Sequence, residues 1–129
     1  MLGCAQTGSG KTLAFALPML QRLQAARRET PRRAAALVLV PTRELAAQVG
    51  ETLVKLAAMQ AQPPKVSVVF GGVSINPQMM ALRGGSDLIV ATPGRLLDLL
   101  DHNALSLSHV RTLVLDEADR LLDLGFSDE

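Results

Sequence analysis

Ala35-Ala36-Leu37-Val38-Leu39-Val40 is a continuous apolar run with no polar residue to give it alternation. A run like this suits a strand buried on both faces, which is the condition of a parallel sheet covered by helices. Four more short strands are expected at Leu2 to Ala5, Val66 to Phe70, Asp87 to Ala91 and Thr112 to Leu115. The segments between them change to helical spacing. Lys11 to about Ala26 places Leu13, Phe15, Ala16, Leu17, Leu20 and Leu23 near one face, with Pro18 expected to bend it. Arg43 to about Ala58 carries Leu45, Val49, Leu53 and Leu56 on one stripe, with Thr42 as its cap. Asn76 as cap and Pro77 at the first helical position open a short helix through Leu82, ended by Gly84-Gly85; Thr92-Pro93 repeats the device and leads to Leu100. Strand and helix alternating five times predict an α/β fold, a parallel β-sheet flanked by helices and joined by right-handed crossovers.

A chain of 129 residues is one domain at most. Its formal charge of +1 gives no broad basic footprint, so any nucleic-acid contact must be local. Phe15, Phe70 and Phe126 are its only aromatics, which argues against recognition by rows of stacked bases. Cys4 is the single cysteine, which removes disulfide frameworks and structural zinc and fits a reducing compartment. No signal peptide is apparent and no run approaches a membrane span, so the chain reads as soluble. The basic stretch Arg27 to Arg33 is broken by Pro31 and reads first as a solvated connection, with a nucleic-acid patch as the alternative.

The first strand leads into Ala5-Gln6-Thr7-Gly8-Ser9-Gly10-Lys11-Thr12. A triphosphate needs backbone N–H groups aimed at its oxygens, and Gly8 and Gly10 allow that approach. Lys11 is placed to reach the β and γ phosphates, and the Thr12 hydroxyl can take a position on Mg²⁺. The following helix offers its positive end to the same anion. The general pattern wants glycine where this chain has Ala5. The competing reading is a glycine-rich turn that only ends a strand.

Asp116 follows directly on the fifth apolar strand, where a phosphate-loop enzyme completes its metal site: a carboxylate there can hold Mg²⁺ opposite Thr12. Glu117 can polarise the water that attacks the γ-phosphate. Both residues could instead cap the last helix, and Asp119 reads equally as a surface carboxylate. In a parallel sheet the phosphate loop, Thr42, Gly72, Thr92 and Asp116 all emerge on the carboxyl edge, where such folds bind ligands.

Ala5 to Thr12, Pro41-Thr42-Arg43-Glu44-Leu45, Gly71-Gly72, Thr92-Pro93-Gly94-Arg95 and Asp116-Glu117-Ala118-Asp119 fall in the order and spacing of DEAD-box RNA helicases. The chain resembles that family over its whole length, and Ala5 is what the family usually has. The run Val69 to Met80 looks like the bacterial RhlE branch. The resemblance implies a P-loop NTPase fold of the RecA-like type, with ATP and Mg²⁺ as cofactors and a cytoplasmic location. It implies that Ala5, Gln6, Thr7, Gly8, Ser9, Gly10, Lys11 and Thr12 bind the nucleotide. Thr12 and Asp116 would hold the metal, Lys11, Asp116 and Glu117 would serve catalysis, and Asp119 would link the nucleotide site to other motifs. Pro41, Thr42, Arg43, Gly72, Thr92, Pro93, Gly94 and Arg95 are implied to lie against the RNA backbone. Helix starts at Arg43 and Pro93 suit a row of phosphates, and contacts of that kind carry no base information. Outside this context Arg43 and Arg95 would read as surface arginines near helix starts.

The resemblance covers part of the first RecA-like domain only and is incomplete at both ends. The glutamine-containing adenine motif, the Ser-Ala-Thr motif and the second RecA-like domain with its arginine finger have no counterpart in these residues. An arginine finger is worth on the order of 10³ to 10⁵ in rate. The polypeptide alone is therefore expected to hydrolyse ATP barely and not to unwind RNA. A nucleotide- or RNA-binding module without turnover is the alternative, and a DNA-directed relative is disfavoured by Asp119 and Pro41 to Leu45. No oligomeric state follows from the residues.

Overall fold

The computed structural model describes residues 2–5, 16–22, 34–60, 63–108 and 110–116. Five strands, β1 (Leu2–Ala5), β2 (Ala36–Leu39), β3 (Val66–Val69), β4 (Leu88–Ala91) and β5 (Thr112–Asp116), form one sheet in the order β1-β5-β2-β4-β3. Every pairing is parallel, as the unbroken aliphatic runs predict. Helix α1 is described over residues 16–22; α2 (Arg43–Ala57), α3 (Asn76–Ala81) and α4 (Pro93–Asp101) follow. Among the described residues no helix is long and apolar enough to cross a membrane.

β2 lies in the middle of the sheet, with Leu37 in register with Leu113 on one side and Ile89 on the other. Successive side chains of a strand point to opposite faces, so an all-apolar strand feeds two cores. On one face Ala36, Val38 and Val40 join Leu88, Val90 and Val114 beneath Ala16, Met19 and Leu20 of α1 and Ala46, Val49, Leu53 and Ala57 of α2. On the other, Leu37, Leu39, Ile89, Ala91 and Val69 pack with Leu82 and with Leu96 and Leu99 of α4. Each fully buried aliphatic side chain contributes roughly 1.5–3 kcal/mol. Gly50 allows α2 to lie close on β3, because a Cβ there would collide with Val68.

β2, β3 and β4 are shorter than the expected runs, and at β3 and the start of β4 side chains set the ends. Phe70 leaves β3 because its N–H and C=O are both bonded to the Gln78 amide, at 3.3 and 3.1 Å. At the opposite end Lys65 N–H donates to the Asp87 carboxylate at 2.8 Å, and Asp87 N–H donates to the Lys65 carbonyl at 3.0 Å. β5 runs one residue beyond the expected Leu115, to Asp116, because β1 pairs with it that far.

Thr42 caps α2 as expected, its Oγ1 accepting from Leu45 N–H at 3.2 Å. Thr92 also has extended backbone at the start of α4, but its side chain makes no cap bond. The expected Asn76 cap is corrected: Ile75 is the capping position, with αR backbone, and the first helical bond runs from Met79 N–H to the Ile75 carbonyl at 2.9 Å. Gly84 and Gly85 end this unit at φ +85, a conformation that favours glycine. The wider expectations for a helix from Lys11 to Ala26, for the basic connection at 27–33 and for a final helix after Asp119 fall in part or wholly outside the described residues.

Candidate functional site

Parallel strands put their carboxyl ends on one edge. Read in sheet order, that edge presents the exit of β1 after Ala5, then Asp116, then Pro41-Thr42 after β2, Thr92-Pro93 after β4, and Phe70-Gly71-Gly72 after β3. Neighbouring strands lie about 4.8 Å apart, so the whole row spans roughly 19 Å. A compact ligand fits at one end of it, and an extended one fits along the rest.

At the β1–β5 end, Ala5 and Asp116 are direct register partners. Ala5, the last described residue before the segment 6–12, therefore stands beside Asp116, although the two lie near opposite ends of the sequence. Gln6, Thr7, Gly8, Ser9, Gly10, Lys11, Thr12, Glu117 and Asp119 lie outside the described residues. A carboxylate and a hydroxyl are hard oxygen donors, which is the donor set Mg²⁺ takes, and the register sets Asp116 beside Ala5, the first residue of the motif that contains Thr12.

At the other end, the expected residues come from three strand exits. Arg43 begins α2, is exposed, and holds its guanidinium 5.6 Å from the centroid of the Phe70 ring, a cation–π contact. Gly72 is exposed at φ +83, and a Cβ on it would stand 3.1 Å from Arg43 Nη1. Arg43 and Gly72 are thus brought side by side although they belong to separate motifs. Thr92 and Pro93 are buried at the start of α4, while Gly94 is exposed with open space where a Cβ would be. The 15-residue α2 and the 9-residue α4 both begin on this edge, which gives it two positive helix ends.

Arg95 is placed differently from what a phosphate contact would require. It is 7% exposed, with Nη1 donating to Gln78 Oε1 at 2.8 Å and Nη2 donating to the Val73 carbonyl at 2.7 Å. Its Nε has no hydrogen-bond partner and lies 3.7 Å from Asp98 Oδ2. The guanidinium faces the 70–78 segment from inside. Gln78 and Phe70 are the residues of this region that the motif reading passed over. Spacing could not have found them, but a glutamine in the first turn of a helix that follows Gly71-Gly72 was a usable signal.

A family model described as DEAD/DEAH box helicase matches residues 1–129. The chain is 46% identical over 136 residues to the pre-mRNA-splicing ATP-dependent RNA helicase PRP28 of Candida glabrata, covering 100% of this chain and 23% of that protein. It is 44% identical to the ATP-dependent RNA helicase CshA of Listeria monocytogenes and 47% to the ATP-dependent RNA helicase DeaD of Mycobacterium tuberculosis, each over 129 residues and all of this chain, but 24% and 22% of those proteins. The crystal structure of the yeast DEAD-box splicing factor Prp28 superposes with a TM-score of 0.87 at 42% identity, covering 99% of this chain and 30% of that one. That likeness bears out the expected parallel sheet of RecA-like type. The chain spans about a quarter of the curated relatives it matches, and these come from fungi and bacteria alike. With one family model across every residue and relatives this similar over its full length, the chain belongs to the DEAD/DEAH box helicase family.

Proposed function

We propose that this chain is the ATP-binding part of an ATP-dependent RNA helicase, belonging to the first of two RecA-like domains. The observation that carries the reading is the order of residues along the carboxyl edge. Ala5, where the phosphate loop begins, and Asp116 end adjacent strands, and the residues assigned to RNA follow the ends of the three strands beyond them. Ala5 to Thr12 cradle the triphosphate, with Lys11 as the point charge on its outer phosphates. Thr12 and Asp116 would hold Mg²⁺, which would neutralise negative charge on the phosphates. Glu117 orients and polarises the attacking water, and Asp119 ties this site to other motifs of the closed enzyme.

Pro41, Thr42, Arg43, Gly72, Thr92, Pro93 and Gly94 form the RNA side, and the buried Arg95 supports it from within. Arg43, Gly72 and Gly94 are its exposed members, and the helix ends at α2 and α4 supply N–H groups for phosphates. Binding of this sort is independent of base sequence, and preference for RNA comes from the 2′-OH and strand shape. The arginine finger comes from the second RecA-like domain, so the 129 residues alone bind their ligands with little turnover. The protein works in the cytoplasm. Within the family, the run Val69 to Met80 supports a narrower place near the bacterial RhlE branch, which a tree built over many first domains would test.

The deciding experiment compares ATP hydrolysis with single-stranded RNA, single-stranded DNA and neither, for this chain and for one extended through a second RecA-like domain. Turnover in the extended chain only, and with RNA only, is expected. Equal stimulation by DNA, or RNA-stimulated turnover by the 129 residues alone at the rate of the extended chain, sinks the reading.

A further inference from the structure

Gly71 has nothing within 4 Å of where its Cβ would be, and Gly72 is exposed at φ +83. A two-glycine segment with so little packing of its own has no intrinsic reason to hold one conformation. What holds it are side chains from α3 and α4. The Gln78 amide accepts from Phe70 N–H at 3.3 Å through Oε1 and donates to the Phe70 carbonyl at 3.1 Å through Nε2. The same Oε1 accepts from Arg95 Nη1 at 2.8 Å, and Arg95 Nη2 donates to the Val73 carbonyl at 2.7 Å. The residues on either side of Gly71-Gly72 are therefore fixed at their backbones. Phe70 in turn carries the Arg43 guanidinium over its ring.

We infer that Gln78 is a positioning residue for RNA binding: it orders the Phe70–Val73 segment and, through Phe70, aims Arg43, without touching the ligand itself. Only an uncharged amide supplies a donor and an acceptor side by side, so it alone satisfies both polar groups of Phe70 and still accepts from a guanidinium. A segment ordered before binding loses less freedom on meeting RNA, which strengthens binding without any added contact. This inference rests on the RNA reading above.

The test measures, on the 129-residue chain, affinity for a labelled single-stranded RNA oligonucleotide, affinity for a fluorescent ATP analogue, and hydrogen exchange at the Phe70 amide. Gln78→Ala is expected to weaken RNA binding about tenfold, leave nucleotide affinity within about twofold, and speed Phe70 exchange at least about tenfold. Gln78→Glu keeps both acceptor bonds and loses the donor to the Phe70 carbonyl, so it should fall between wild type and Gln78→Ala; if Gln78→Ala does not fold, Gln78→Glu decides on the same readouts. RNA affinity unchanged while Phe70 exchange accelerates overturns the inference. So does a parallel fall in RNA and nucleotide affinity, which marks general loss of structure. Arg43→Ala separates the two readings. If it binds RNA like wild type, the RNA reading fails and the inference with it; if it is weakened while both Gln78 variants are not, only the inference fails.

Discussion

At the β1–β5 end of the carboxyl edge, the expected ligand-binding residues form one contiguous run, Ala5 to Thr12, completed from the neighbouring strand at Asp116. At the β2–β4–β3 end they arrive as short pieces from three strand exits: Gln78 and Arg95 join the β3 and β4 exits, and the Arg43–Phe70 contact joins the β2 exit. The contrast follows the shape of the ligands proposed for each end. A triphosphate is small enough to be wrapped by one loop, so its motif is dense in sequence. A nucleic-acid backbone is long, so its contacts are dispersed, and the geometry between them has to come from tertiary bonds.

Separate ends imply separable losses, and a pair of substitutions tests this with the largest effects. Lys11→Ala removes a charged donor from phosphate and should weaken ATP binding by about 2 kcal/mol, roughly thirtyfold. Affinity for RNA without nucleotide should stay at wild type. Arg43→Ala should do the reverse, weakening RNA binding at every sequence alike and lowering the slope of log affinity against log salt by about one phosphate. Titrations of both ligands against both variants read this directly. A loss of RNA affinity in Lys11→Ala as large as its loss of nucleotide would mean that the two ends act as one site.

Gly71 and Gly72 offer a smaller, internal contrast. Gly72→Ala forces a side chain into a φ of +83, which costs about 1–2 kcal/mol. Its Cβ would also stand 3.1 Å from Arg43 Nη1, the far end of a flexible side chain that can swing away and lose its place over Phe70. Gly71→Ala meets open space and should change stability by no more than about 0.5 kcal/mol. Urea denaturation gives the stability difference, and RNA titration should show weakening for Gly72→Ala only. Equal effects at both positions would show that backbone conformation at Gly72 is not what matters.

The sheet was legible because β2 and β4 are aliphatic on both faces, which few environments other than a covered parallel strand reward. The motifs at 5–12 and 116–117 were legible because each is local. Arg95 was not: residue type and motif position suggested a surface cation, and its 7% exposure is decided by Val73 and Gln78, residues 22 and 17 positions away. The end of β3 escaped for the same reason, since Phe70 is as good a strand residue as Val69 until the Gln78 amide takes its backbone. At α3 the cap-then-proline pattern was shifted by one residue because Ile75 already lies in the αR region.

The threonines that precede α2 and α4 were both read as caps, and they give the finest test. Thr42 Oγ1 accepts from Leu45 N–H at 3.2 Å, satisfying one of the free donors at the helix start. Thr42→Val keeps the shape and removes the acceptor, so it should cost about 1 kcal/mol in urea denaturation. Thr92 makes no side-chain cap bond, so Thr92→Val should stay within about 0.5 kcal/mol of wild type. The Thr92 hydroxyl is then not committed to its helix and can serve a ligand, so the same variant should weaken RNA binding without loss of stability. A stability loss at Thr92→Val equal to that at Thr42→Val would mean that its hydroxyl supports the helix after all, and would remove the ground for assigning it to RNA.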